Sequence, residues 1–114
     1  MRRRLLLVAV VVCSGALAWL TWPHPDVEIT VARGGVASIV DRFGGQTPLG
    51  DTVFVGGGGA RRTVRVVNRD TVAHRLAMFS AAPGDRRDYT LPTGVYGGYC
   101  SAHPTSKHLT FVVR

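Results

Sequence analysis

Apolar and polar positions alternate along most of the chain from about residue 24 onward. Residues 27–31 (VEITV) and 63–67 (TVRVV) repeat with a period of two, which is typical of strands that bury one face. Similar runs predict six further strands, at 36–40, 52–55, 75–79, 88–91, 95–100 and 109–113. Turn residues rich in glycine and proline separate these runs, and no ten-residue segment has a helical apolar stripe. The pattern predicts an all-β sandwich or barrel.

The first 23 residues, MRRRLLLVAVVVCSGALAWLTWP, follow a different pattern: three arginines and an apolar run that ends at Pro23. Residues 5–13 suit the core of a cleavable signal peptide, with cleavage near residues 16–18 (ALA). Alternatively, residues 5–22 form one membrane-anchor helix of about 27 Å. Either interpretation predicts that residues 1–23 direct export and that residues 24–114 form a domain in the periplasm, at the cell surface or in the medium.

The formal net charge of +7 says little about binding partners, because three of the positive charges belong to Arg2, Arg3 and Arg4. The other basic residues are scattered. No basic stripe interleaved with aromatic residues is present, so the sequence indicates no nucleic-acid binding. We expect a solvated, mildly basic surface, or else a surface that meets an acidic partner protein or an anionic membrane.

Cysteine usage is more informative than charge. Cys13 lies in the N-terminal segment, which leaves Cys100 alone in the exported domain. A single cysteine in an oxidising compartment cannot form an internal disulfide, so it must be buried, paired with another chain or bound to a ligand. A domain of about 90 residues is also small enough to profit from a bound metal as a structural support.

The domain combines this cysteine with four histidines, at positions 24, 74, 103 and 108. One thiolate with two imidazoles suits copper, or zinc when a fourth ligand joins them. Cys100 and His103 are three residues apart where a predicted strand runs into a loop, so both side chains can face one end of a sandwich. His24 lies between two prolines and is expected to belong to a linker.

Two separated segments resemble the cupredoxins, the type 1 blue copper family. Residues 66–79 (VVNRDTVAHRLAMF) resemble the segment that carries the first histidine ligand, and residues 89–104 (YTLPTGVYGGYCSAHP) resemble the final ligand segment. The resemblance is nearest to amicyanin- and plastocyanin-like domains and covers roughly residues 48–114. It implies a Greek-key β-sandwich with one mononuclear copper ion bound by His74, Cys100 and His103. It also implies that a partly exposed edge of His103 passes the electron.

The chain departs from the family pattern at the axial ligand and beside the first histidine. The family's axial methionine is replaced by Ser106 in one spacing and by His108 in the other, and Met78 is expected in the core on the strand face of His74. Arg75 stands where the family has an asparagine that ties the ligand loops together. We expect a three-coordinate site with an open or water-filled axial position, and His108 is the alternative ligand.

The resemblance implies one-electron transfer with an unidentified redox partner protein, by a monomer that is not an enzyme. The alternative is copper or zinc binding without redox turnover, for storage, delivery or sensing, and a metal-free binding sandwich is a third hypothesis. Copper enzymes of this fold carry further histidine clusters and more than one domain, and this chain has neither.

Overall fold

The protein is described by a computed structural model that covers residues 24–57 and 61–114. These residues form ten β-strands and no helix: β1 Val27–Val31, β2 Ala37–Val40, β3 Gln46–Pro48, β4 Thr52–Val55, β5 Thr63–Asn68, β6 His74–Leu76, β7 Phe79–Ala81, β8 Arg86–Thr90, β9 Gly94–Tyr99 and β10 His108–Val113. The prediction of an all-β domain is therefore confirmed for these residues. They include no apolar helix of bilayer length. The predicted export segment, residues 1–23, lies outside the described part of the chain.

The larger sheet has five strands in the order β3-β2-β1-β5-β8. Strand β1 pairs in parallel with β5, and the other neighbours pair antiparallel. Alternation sorts the side chains of β5: Val64 and Val66 are buried, while Arg65 faces outward and forms a bidentate ion pair with Asp88 of β8 at 2.7 and 3.0 Å. One face of this sheet therefore belongs to the core and the other to solvent.

The smaller sheet places β10 between β4, to which it is parallel, and β9, to which it is antiparallel. Leu109, Phe111 and Val113 of β10 are buried, as the alternation of the sequence predicts. His108 is exposed at the first position of the strand. The remaining strands, β6 and β7, form a hairpin.

One hydrophobic core joins the two sheets and the hairpin. The ring of Phe79 in β7 lies 4.5 Å from the ring of Tyr89 in β8 and 5.3 Å from that of Phe111 in β10, between ring centroids. Edge-to-face and tilted contacts at these distances stabilise the packing beyond the area that they bury. The β6–β7 hairpin is thereby fixed against both sheets.

The predicted strand over residues 75–79 is wrong, because the chain turns back within it. Leu76 pairs with Phe79, and Ala77 at the turn has a positive φ of 54°. The expectation of a core position for Met78 is wrong as well, because it lies in this turn and is 38% exposed. Strand β3 was not predicted, because all three of its residues are exposed and give no alternating signal.

Candidate metal centre

Three connections meet at one end of the fold, which we call the site end. They are the β1–β2 turn (32–36), the β5–β6 connection (69–73) and the β9–β10 loop (100–107). The N–H of Ala37, at the start of β2, donates to the carbonyl of Ala102 at 2.8 Å. The N–H of Gly34 donates to the carboxylate of Asp70 at 3.4 Å. These hydrogen bonds hold the connections together at the end where the predicted ligands lie.

His74 begins β6, and its buried ring is hydrogen-bonded at both nitrogens. Nε2 lies 2.7 Å from Oδ2 of Asp70, and Nδ1 lies 2.9 Å from Oγ of Ser101. Ser101 Oγ also accepts the backbone N–H of Arg75 at 2.9 Å. A carboxylate only accepts, so Nε2 carries a proton, and in the neutral ring Nδ1 accepts the hydroxyl proton of Ser101.

Three hydrogen-bond donors contact the carboxylate of Asp70. Its hydrogen bond to His74, followed by those from the N–H groups of Thr71 and Gly34, lowers the pKa of Asp70 against the opposing effect of burial. Asp70 therefore stays ionised at neutral pH. It holds the His74 ring in one orientation, as carboxylates beside metal-ligating histidines commonly do.

Gly35 in the β1–β2 turn makes room for this ring. A Cβ added there would lie 3.0 Å from Cε1 of His74, and the backbone of Gly35 has a φ of +81°. Both the contact and the left-handed conformation favour glycine at this position. The turn therefore closes over the edge of the ring.

Cys100 follows β9 directly and is 1% exposed. An isolated bridge pairs it with Leu76, so its backbone adjoins the strand that carries His74. Burial raises the pKa of the Cys100 thiol, and hydrogen bonds from the N–H groups of Ala102 and His103 partly offset this effect. The sulfur is therefore a neutral thiol at neutral pH.

The side chain of His103 is fully buried. Its Nδ1 accepts the N–H groups of Thr105 at 3.1 Å and Ser106 at 2.9 Å. Its Nε2 lies 3.2 Å from Oδ1 of Asp51, but in a direction that makes no hydrogen bond, so this buried nitrogen has no hydrogen-bond partner. The implied exposed edge of His103 is wrong, because the ring is held inward by the backbone of residues 105 and 106.

The structure brings the segments of His74, Cys100 and His103 to one end of the fold, but not their side chains into a closed ligand set. Among residues 24–57 and 61–114, no three His, Cys, Asp or Glu side chains are arranged to hold a metal ion. The donor set itself suits copper. The buried Nε2 of His103 has no hydrogen-bond partner, but Nδ1 accepts two N–H groups, so in the neutral ring Nε2 carries the proton and would have to release it to bind a metal. Ligation by His74 would require one of its ring nitrogens to give up its present hydrogen bond.

Two of the three axial candidates form hydrogen bonds with other groups, and the third lies in an exposed turn. His108 is exposed, and its Nε2 lies 3.1 Å from Oγ1 of Thr110 on the outer face of β10. The hydroxyl oxygen of Ser106 lies 3.2 Å from Oδ1 of Asp51 and 3.1 Å from the carbonyl oxygen of His108, and its single proton is donated to one of these acceptors at a time. Met78 lies in the exposed β6–β7 turn.

Two residues at the site end were not singled out from the sequence, namely Asp70 and Ser101. Ser101 ties the two predicted ligand segments together through His74 and Arg75, a role that the resemblance had implied for an asparagine at position 75. The sequence signals were a carboxylate four residues before the first histidine and a hydroxyl directly after the cysteine. Neither signal is specific without the fold.

The side chain of Asn68 stabilises the β5–β6 connection through hydrogen bonds. It is 1% exposed, and its Nδ2 donates to the carbonyls of Val72 at 2.9 Å and Ala81 at 3.0 Å. Its Oδ1 accepts the N–H of Asp70 at 3.0 Å. This one side chain therefore joins the connection to the β6–β7 hairpin.

We expect Asn68→Ala to lower the free energy of unfolding by about 2 kcal/mol, because buried backbone groups lose their partners. Chemical denaturation of the two proteins measures the difference. Arg69→Ala is the matched control: its side chain is exposed, and its effect should stay within about 0.5 kcal/mol. Equal effects of the two substitutions would contradict a supporting role for Asn68.

The chain is similar to a solved purple cupredoxin from Nitrosopumilus maritimus. The two are 27% identical, the match covers 78% of this chain and 100% of that chain, and the TM-score is 0.42. No family model matches the chain, and no curated protein matches it.

Proposed function

We propose that the protein is an exported copper protein that transfers single electrons through a mononuclear centre formed by His74, Cys100 and His103. In this proposal residues 24–114 are a Greek-key β-sandwich of the cupredoxin type. The domain acts as a monomer outside the cytoplasm and exchanges electrons with a partner protein. It has no enzymatic activity of its own, and it binds no nucleic acid.

The position of Cys100 supports this proposal most. The thiol is 1% exposed, and an isolated bridge places its backbone against Leu76 in the strand of His74. Burial raises the pKa of the Cys100 thiol and so opposes the thiolate, which is the form that binds a metal. A bound cation would offset this cost, so a buried cysteine between the two predicted ligand segments suits a metal centre.

The metal would supply a one-electron couple, and the residues of the chain would set its surroundings. Ala102 and His103 would stabilise the Cys100 thiolate through their N–H groups. Asp70 would hold His74 with its proton on Nε2, which leaves Nδ1 as the donor nitrogen. The burial of Cys100 and His103 would keep water away from the centre.

A second function is favoured by the two hydrogen bonds of the His74 ring. Because Nδ1 is bonded to Ser101, metal loading requires a local rearrangement, which suits copper or zinc binding for storage or delivery better than rapid electron transfer. A reversible one-electron wave of the copper-loaded protein in voltammetry would support electron transfer. Loss of the metal on reduction would support delivery instead.

The visible and EPR spectra of the protein with Cu(II) test whether His108 belongs to the centre. We expect His108→Ala to leave both spectra unchanged, because His108 lies on the outer face of β10 and bonds Thr110. His24→Ala is the matched control, because His24 precedes β1 and belongs to none of the three connections of the site end. A large spectral change with His108→Ala alone would make His108 a ligand.

A further inference from the structure

A surface groove with a volume of about 530 Å³ opens beside the site end. It lies across the β6–β7 hairpin and reaches the start of β8. Three of its lining residues are the alanines at positions 73, 81 and 82, whose small side chains leave space. A volume of this size is in the range of pockets that hold small organic molecules.

Two arginines line the groove from different elements. Arg75 of β6 is exposed and pairs with Ser80 of β7, so both residues lie on the outer face of the hairpin. Arg87 of β8 shares a strand face with Tyr89, whose ring packs on Phe79 of β7, so alternation directs Arg87 toward the hairpin. The two guanidinium groups therefore belong to one groove.

The described residues form hydrogen bonds with only some of the N–H groups of these two guanidinium groups. Arg75 donates from Nε to the carbonyl of Ala77 at 3.0 Å. Nε of Arg87 lies 3.7 Å from Oδ2 of Asp85, which is too long for a hydrogen bond. The terminal amino groups of both arginines remain available for an acceptor.

The one acidic residue that lines the groove is engaged elsewhere. Oδ2 of Asp85 accepts the N–H of Ala82 at 3.0 Å and so closes the turn before β8. The groove thus combines two arginines with one carboxylate that is already bonded, and its net charge is positive. Ser80 adds an exposed hydroxyl, which can donate to an anion.

We propose that this groove binds a small organic anion through a carboxylate or phosphate group, with Arg75 and Arg87 as its two charged contacts. Guanidinium groups bind such oxyanions in bidentate fashion. The two charged contacts are distinct from the proposed metal ligands, although the groove is lined in part by one of those ligands. The groove reaches His74 and Ser101, so a bound anion would lie next to the first ligand segment.

The test is an NMR titration of the full-length, metal-free chain in a zwitterionic detergent at low salt. Citrate probes the carboxylate, inorganic phosphate probes the phosphate group, and glycerol is the neutral control. We expect at least one of the two anions to give saturable shifts of the amides of Ser80, Ala82 and Ser101. Glycerol should give none. The anion that binds more tightly identifies the preferred group.

Arg75→Gln and Arg87→Gln should each weaken this binding by about tenfold, the size of one charge-assisted hydrogen bond. Arg86→Gln is the matched control, because Arg86 is the next residue on the same strand and lies on its other face with Asp88. Its dissociation constant should stay within about twofold. Shifts that do not saturate for either anion, or an equal loss in all three variants, would overturn the proposal. The measurement needs no metal, so its outcome is independent of the copper centre.

Discussion

Cys100→Ser is expected to abolish the intense visible colour that the protein develops with Cu(II). A thiolate is the soft ligand of a His₂Cys copper centre, and a serine hydroxyl cannot replace it. The fold should survive, because serine is similar in size to cysteine and the backbone bridge to Leu76 does not depend on the side chain. Absorption and EPR spectra measure the first effect, and circular dichroism measures the second.

Cys13→Ser is the matched control for this experiment, because it makes the same change in the N-terminal apolar segment. It should leave the spectra unaltered. A wild-type protein that stays colourless at full Cu(II) loading would refute a type 1 centre. A coloured Cys100→Ser protein would show that the centre lies elsewhere.

Copper is expected to raise the melting temperature of the protein by more than about ten degrees. A ligand that binds only the native state stabilises it by about 2.7 kcal/mol at a hundredfold excess over Kd. For a domain of this length, 1 kcal/mol corresponds to roughly 4–8 °C. Calorimetry of the metal-free and copper-loaded forms measures the shift.

The same measurement on His103→Ala separates specific binding from general effects of the metal. This variant lacks one predicted ligand, so copper should shift its melting temperature by only a small fraction of the wild-type value. An unchanged shift in His103→Ala would mean that copper binds outside the proposed centre. No shift in the wild type would mean that the centre does not bind copper at all.

The alternation of apolar and polar residues predicts the strands that bury one face. It fails for segments that do not bury a face. Residues 27–31 and 52–55 were predicted with the bounds that the structure has, because every second side chain packs into the core. Strand β3 is exposed throughout, so nothing in its sequence distinguishes it from a loop. The β6–β7 turn was missed because Ala77 takes the positive φ that usually indicates glycine.

The candidate site was also predicted only in part: its segments were, and the orientation of its side chains was not. The spacing from Cys100 to His103 and the resemblance to the cupredoxins indicated which segments meet, and the structure places these segments at one end of the fold. The ring of His74 could not be predicted, because its orientation depends on Asp70 and Ser101 together. Spacing does not determine such a choice between hydrogen-bond partners. The copper ligands themselves stay a prediction.

The place of β10 in the smaller sheet determines when the domain can fold. This strand lies between β4 and β9, and it follows β4 in the sequence by more than fifty residues. Strand β4 therefore has no partner in this sheet until residues 108–113 have been synthesised and have closed that long loop, which is a slow step in folding. A nascent chain consequently stays incompletely folded until residues 108–113 have left the ribosome and paired with β4.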